Sequence, residues 1–411
     1  MSLVEFFSPV AEIAPAINSA INPWEEAQSL DDLFQDVDVQ PRAYQRRICE
    51  KAIHTLRAHH ADPFQEFAPE SASVLIESPT GSGKTVMGLA IAQWMQKRYG
   101  ISIGWVAMRR NLLAQAQKEN LQRGFDIKME LISMFDKNPP QVDMLIVDEA
   151  QHDAAMSMAN LHCTIRPQYI LGLTATPFRC DRVKLCFDHV IRDAGIHQLI
   201  QDGYLSRYHH YTIPEYTPAE VARFYAADQA RWGKSIMFFH RLEQCLECSD
   251  ALSAHGVTSE VVTAKSDRDR QLQDFLSGKV QVLINMNILT EGFDCPDLKT
   301  VFCRPSSKSC TIQMCGRVFR KHVDLPIKQV VQCQSTPHPM QKTALAEEQY
   351  IWNSGDWQCL TMNKQIDAVS QRARRLIAGT EVKLPKLVAA LRGSRPLWEQ
   401  SRREQRLGQG E

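Results

Sequence analysis

The sequence predicts an α/β protein: two lobes in tandem, each a mostly parallel sheet with helices on both faces, then a small helical C-terminal tail. Three observations lead there. Short apolar strands alternate with helical stretches from about residue 41 to 200, the order of a parallel sheet whose crossovers are helices. The same alternation begins again after Gly203-Tyr204-Leu205 and runs to about residue 333, without repeating the first half's sequence. At 411 residues the chain is also too long for one ordinary core, and two or three domains are expected.

In the first half the strand candidates are Val74–Glu77, Ile103–Met108, Ile127–Ser133, Asp143–Val147 and Tyr169–Leu173. They are short and mainly aliphatic, as buried parallel strands are. Apolar residues recur at helical spacing over 42–59, 84–98 and 110–122. In the second half Ser235–Phe239 precedes a helix to about 254. Strands Ser259–Thr263 and Val280–Asn285 enclose a helix over 267–276; then come Leu298–Cys303, a helix over 308–320, and Gln329–Cys333. The expected division is an acidic extension over 1–40, lobes over 41–203 and 204–335, and a basic, helical tail over 336–411.

The composition, 44% hydrophobic and 23% charged, is that of a soluble globular protein. No apolar run approaches the twenty residues of a membrane span, so no membrane partner is expected. The start, Met1-Ser2-Leu3-Val4-Glu5, lacks the basic opening of a secretory signal. Twelve scattered cysteines suggest reduced thiols in a cytoplasmic compartment rather than a disulfide framework. Net charge is zero but unevenly spread. Residues 1–40 hold eight acids and no Lys, Arg or His; residues 364–411 hold eleven Lys and Arg against five acids, 11 − 5 = +6. The tail could meet a polyanion and the acidic start a protein partner, or both could be solvated tails.

The chemistry starts at Ser78-Pro79-Thr80-Gly81-Ser82-Gly83-Lys84-Thr85. A glycine-rich turn between a strand and a helix can aim its amides at phosphates; Lys84 can reach the outer phosphates, and the Thr85 hydroxyl can hold Mg²⁺. Ser78 stands where the strict pattern has its first glycine. About sixty residues on, Asp148-Glu149 follows the strand Asp143–Val147, which puts both carboxylates at the C-terminal sheet edge where open α/β sheets bind ligands. Asp148 can hold Mg²⁺ and Glu149 can take a proton from an attacking water. Alone, such a pair is a common solvated turn; with the phosphate loop at this distance it reads as a nucleoside triphosphate site. Thr174-Ala175-Thr176-Pro177 could relay the state of the γ-phosphate, or be a polar turn ended by proline. Gln313-x-x-Gly316-Arg317-x-x-Arg320 sets two arginines on one helical face, either to stabilise phosphoryl-transfer charge or as a basic surface helix. In Thr290-Glu291-Gly292-Phe293-Asp294, Gly292 permits a tight turn and Asp294 could bond a ribose hydroxyl.

In this order the segments resemble the superfamily 2 DEAD/DEAH-box helicases and translocases. The resemblance covers about residues 40–335 and identifies motifs I (the phosphate loop), II (Asp148–Gln151), III (Thr174–Pro177), V (Thr290–Asp294) and VI (Gln313–Arg320). Arg42-Ala43-Tyr44-Gln45 is similar to the element that reads adenine, and Met108-Arg109-Arg110-Asn111 to motif Ia, which touches the nucleic-acid backbone. Leu173–Arg179 and Leu199–Leu205 look like the XPB-like and UvsW-like DNA helicase branch. That branch has His where Gln151 stands here; Gln151 can still hydrogen-bond across to the second half. The resemblance implies two RecA-like domains with ATP and Mg²⁺ between them. Arg42, Gln45, residues 78–85, Gly292 and Asp294 would bind nucleotide; Thr85 and Asp148 would hold the metal, and Glu149, Lys84, Arg317 and Arg320 would be catalytic. Arg109 and Arg110 would face nucleic acid, with Gln151, Thr174, Thr176 and Gln313 as couplers.

The activity so implied is an ATP-dependent DNA helicase or translocase with sequence-independent backbone contacts, monomeric and bacterial or phage-encoded, acting at the nucleoid. An RNA helicase, or an ATP-gated clamp with little turnover, are the alternatives. Other features read as structural. Cys245-x-x-Cys248 lacks the second pair a zinc finger needs; Cys310, Cys315, His209 and His210 suit a core. Trp352 and Trp357 bracket a glycine turn. The arginines of 371–375 and of 392–406, interleaved with Trp398, could clasp phosphates and stack on bases, or simply cover the second lobe.

Overall fold

The computed structural model describes residues 30–61, 72–152, 156–176, 187–286 and 295–360. The motif over 290–294, Pro177 and the arginine-rich tail beyond 360 lie outside them, as does most of the acidic extension. The chain divides into two compact units between Glu347 and Glu348, and the first holds both predicted sheets.

The first sheet is assembled from β1 (Ala72–Glu77), β2 (Ile103–Ala107), β3 (Met129–Ser133), β4 (Met144–Asp148), β5 (Tyr169–Thr174) and β6 (His189–Arg192). The order is β3-β2-β4-β5-β1-β6, and every pairing is parallel. Such strands are covered on both faces, which is why β2 and β4 are continuous apolar runs. The helices are α1 (Ala43–Ala61), α2 (Lys84–Tyr99), α3 (Arg110–Gln122), α4 (Met156–Ile165) and α5 (Ile196–Gln201). Helix α2 is buried from Val86 to Met95, and it ends where Gly100, at φ 66°, donates its N–H back to Gln96 O. Register decides the site: Glu77 on β1 is level with Thr174 on β5, and Asp148 on β4 is level with Leu173. Three strand ends therefore meet at one edge.

The second sheet of this unit uses β7 (Arg207–Ile213), β8 (Ser235–Phe238), β9 (Ser259–Val262), β10 (Val282–Asn285), β11 (Thr300–Phe302) and β12 (Ile327–Cys333). It runs β7-β12-β11-β8-β10-β9, again all parallel. Its helices are α6 (Pro218–Ala227), the single turn α7 (Gln229–Trp232), α8 (Leu242–Ala254), α9 (Arg268–Leu276) and α10 (Lys308–Cys315). The predicted tandem of parallel sheets is present. Among the described residues no helix is long and apolar enough to cross a membrane.

Three expectations need correction. Strand β6 and helices α4 to α7 were not anticipated. The helix predicted over 308–320 stops at Cys315: Val318 and Phe319 are drawn into the core, and Ser206 N–H takes the carbonyl of Phe319 at 2.8 Å. Arg317 and Arg320 therefore sit on a turn rather than on one helical face. The tail is not helical at its start: in the second unit Glu348–Asn353 (β13) and Asp356–Cys359 (β14) form an antiparallel hairpin. Its two-residue turn uses Ser354 and Gly355 at φ 52° and 91°, and Trp352 meets Trp357 edge-on at 5.1 Å.

His210 is buried against Gln332, and burial pushes its pKa down to about 4, so it is neutral at physiological pH. Cys245 and Cys248 are buried on α8, and burial pushes the Cys245 thiol up to about 11. Gly172 on the central strand β5 has no room for a side chain; a Cβ there would stand 2.5 Å from Phe187 Cζ and 2.7 Å from Leu75 Cδ1. Gly172→Ala should destabilise the protein by about 1–3 kcal/mol, checked by denaturant unfolding.

Candidate nucleotide site and lobe interface

After β1 the chain turns through residues 78–83, with Gly81 and Gly83 at φ 81° and 83°. In this left-handed conformation a Cβ is strained, and at Gly83 it would lie 2.5 Å from Gln45 Nε2. Both glycines are thus required. Ser78, the departure from the strict pattern, is accommodated because its side chain points behind the loop: Ser78 Oγ–H donates to Ser82 Oγ at 2.7 Å, and its N–H extends the sheet ladder to Thr174 O. Pro79 closes the turn by accepting from Ser82 N–H at 3.1 Å.

The loop is braced from α1. Tyr44 Oη and Gln45 Nε2 both donate to Ser82 O, at 2.6 and 2.8 Å, and Gln45 Oε1 accepts from the Arg42 N–H at 2.9 Å. The Arg42 guanidinium lies over the Tyr204 ring, 5.2 Å from its centroid. Gln45, expected to read a base, is therefore seen holding the phosphate loop.

A cavity of about 380 Å³ opens above the loop. Thr80, Gly81, Gly83, Lys84 and Thr85 line it, with Asp148 and Glu149 from the end of β4 and Arg317 and Arg320 from the turn after α10. Lys84 Nζ donates to the carbonyl of Ser78 at 3.3 Å. Burial pulls its pKa below the ordinary lysine value, with Arg317 and Arg320 acting the same way, against the opposing carboxylates of Glu149 and Asp148. A desolvated ammonium flanked by guanidiniums, facing hard oxygen donors on Thr85, Asp148 and Glu149, fits a polyphosphate with a divalent cation. Glu149 itself sits at φ 53°, and its N–H donates to Asp148 Oδ1 at 3.0 Å.

A hydrogen-bonded chain leaves Glu149 toward the other sheet. Gln151 Nε2 donates to Glu149 Oε2 at 3.0 Å, and Thr174 Oγ–H donates to Gln151 Oε1 at 2.7 Å. Thr176 N–H donates to Thr174 Oγ1 at 3.0 Å, and Gln313 Nε2 of α10 donates to Thr176 Oγ1 at 3.3 Å. The four residues expected as couplers are thus one path. Backbone approach seals the interface: a Cβ at Gly316 would lie 3.1 Å from Thr80 Cβ and 2.8 Å from Ile312 O. Leu205 Cδ2 and Arg320 Cγ pack 3.3 and 3.4 Å from where Gly81 would carry a Cβ. Lys321 Nζ donates to Gly203 O at 2.6 Å.

Arg109 and Arg110 do not line the cavity. They begin α3 just after β2, Arg110 exposed and Arg109 half-buried, on the same sheet edge. Gly292 and Asp294 lie outside the described residues. The sequence reading missed part of the cavity's lining, which includes Asp38, Val39 and Gln40 and, from α3, Leu112, Gln115 and Glu119. Residues 112, 115 and 119 follow one helical stripe, a pattern that was available as a signal.

The fold and site define a tandem RecA-like, phosphate-loop protein. Residues 38–137 match the family described as Type III restriction enzyme, res subunit, and residues 218–322 the helicase conserved C-terminal domain. The chain is 26% identical over 268 residues to a 51.5 kDa protein of a Lactococcus phage, covering 56% of this chain and 59% of that one. It is 26% identical over 222 residues to a Saccharomyces cerevisiae protein, IRC3, named as an ATP-dependent helicase; 44% of this chain and 32% of that one are covered. The chain thus spans under two thirds of the length of these relatives. A solved structure of S. cerevisiae Dbp5 bound to RNA and ADP–BeF3 superposes with a TM-score of 0.53 at 15% identity, covering 80% of this chain and 97% of that one, a likeness of fold. The two family matches and the helicase-named relative support a superfamily 2 helicase.

Two outcomes follow from the geometry. Gly316→Ala should hold the lobes apart and slow nucleotide turnover about 10²-fold, with nucleotide affinity nearly unchanged, as steady-state kinetics and equilibrium binding would separate. For Lys84, folding lowers the pKa of a cation. Between that lowered value and 10.5 the unfolded chain keeps a proton the folded one has released, so unliganded stability rises with pH. Polyphosphate affinity, which needs the ammonium, should fall over the same interval, at a lower pH than for an ordinary lysine; binding titrations across alkaline pH check it.

Proposed function

We propose that the chain is the motor of an ATP-dependent DNA helicase or translocase, akin to the XPB-like and UvsW-like branch. The observation that carries this reading is the single cavity shared by Lys84, Asp148 and Glu149 of the first lobe and Arg317 and Arg320 of the second. Lys84 and the loop amides hold the phosphates. Thr85 and Asp148 would hold Mg²⁺, which would neutralise charge at the phosphates. Glu149 accepts the proton of the attacking water, and the two guanidiniums stabilise the charge that spreads over the transferred phosphoryl group.

The path Glu149–Gln151–Thr174–Thr176–Gln313 makes the orientation of the base depend on the second lobe's position. Contacts to a γ-phosphate exist only when the lobes are closed, so hydrolysis biases them toward opening. Nucleic acid would lie along the C-terminal sheet edges, with Arg109 and Arg110 on its backbone, where phosphate contacts carry no sequence information. The match to a restriction-enzyme family favours DNA over RNA.

ATPase activity should rise with added DNA, more than with RNA. It should fall by at least about 10²-fold in Lys84→Ala and in Glu149→Gln, while Glu149→Gln keeps nucleotide affinity. Unchanged turnover in Lys84→Ala would refute the site; stimulation by RNA alone would refute the DNA assignment.

A further inference from the structure

The segment Leu199–Leu205 carries a sequence motif, and in the fold it is the crossing from one lobe to the other. Helix α5 ends at Gln201, and Gly203 reverses the chain at φ 72°. The N–H groups of Tyr204 and Leu205 then donate back to Leu199 O at 2.8 and 3.0 Å. Ser206 follows, and β7 of the second sheet begins at Arg207. The crossing is short and internally bonded rather than a slack tether.

One side of it grips the phosphate loop. The Tyr204 ring meets the Tyr44 ring edge-on at 5.3 Å, and Tyr44 Oη–H donates to Ser82 O at 2.6 Å. Leu205 is buried, its Cδ2 3.3 Å from where Gly81 would carry a Cβ. The other side grips the turn that carries the arginines. Buried Ser206 donates twice, its N–H to Phe319 O at 2.8 Å and its Oγ–H to Arg320 O at 3.1 Å. Lys321 Nζ returns a bond to Gly203 O at 2.6 Å. Between the two grips, Arg320 Cγ lies 3.4 Å from the Gly81 Cβ position.

A guanidinium that must meet a γ-phosphate has to be placed to within about 1 Å. Arg320 stands past the end of α10, where the helical ladder has stopped. We infer that the crossing supplies the missing constraint: Ser206 and Lys321 are positioning residues that set Arg320 against the phosphate loop. Phe319 is buried in the second lobe and Leu205 packs on the loop of the first, so a shift of the crossing carries the arginine turn with it. The inference rests on the proposed triphosphate site, in which Arg320 stabilises the transferred charge.

The test is ATP hydrolysis by the full-length chain with duplex DNA present, kcat and ADP affinity being measured separately. The variants are Ser206→Ala, Lys321→Met, Lys321→Arg, Arg320→Ala, the double variant Ser206→Ala with Arg320→Ala, and Val323→Ser. Ser206→Ala should lower kcat about ten-fold and Lys321→Met about three-fold, both with ADP affinity near the parent's. Lys321→Arg keeps a donor and should recover the parent kcat; Val323→Ser, 90% exposed just beyond that turn, should match it. With Arg320→Ala present, Ser206→Ala should cost nothing further, because the residue it positions is gone. Lys321 is exposed, so its variants keep the test decisive even where Ser206→Ala fails to fold. Parent-like kcat in Lys321→Met and Ser206→Ala overturns the inference and leaves the triphosphate site standing. An undiminished loss from Ser206→Ala in the Arg320→Ala background does the same. Unchanged hydrolysis in Arg320→Ala also overturns the inference; unchanged in Lys84→Ala as well, it overturns the site. A parent that hydrolyses no ATP overturns both.

Discussion

A half-buried lysine ammonium stands at the end of the first sheet, donating to the carbonyl of Ser78. Taking such a charge out of water is unfavourable unless an opposite charge compensates it. Here the nearby carboxylates of Asp148 and Glu149 oppose the loss and the guanidiniums of Arg317 and Arg320 increase it. The site is therefore electrostatically incomplete in the direction of a polyanion. Much of the surrounding structure maintains this condition: positive-φ glycines give the loop its shape, and Tyr44 and Gln45 hold it to α1.

The second constraint is register. The order β4-β5-β1 sets the acidic pair, the Thr174 hydroxyl and the phosphate loop side by side, because parallel strands finish at the same edge. Gln151 uses both ends of its amide, donating to Glu149 and accepting from Thr174. The second lobe joins through small atoms: the absence of a side chain at Gly316 lets α10's end meet Thr80.

Much of this was legible in the sequence. The phosphate loop, Asp148-Glu149 and Gln313–Arg320 are local patterns whose chemistry follows from residue type and spacing, and parallel strands announce themselves as short apolar runs because both faces are covered. Less was legible at the ends of elements. Arg317 and Arg320 keep helical spacing in the sequence, yet Val318 and Phe319 gain more by entering the core, and Ser206 satisfies the freed carbonyls. Gln45 sits where a base-reading glutamine was expected but spends its amide on Ser82 and Arg42, a choice set by distances across folded elements.

By itself the sequence determined which chemistry is possible: a polyphosphate cradle, a paired acid site, and arginines able to reach them, all encoded within a few neighbouring residues. Tertiary structure alone decided which groups share one cavity, that four polar residues form a hydrogen-bonded path between lobes, and that α3 lines part of the cavity. These depend on strand order, register and backbone approach, and such long-range geometry arises only when distant segments compete for the same buried space.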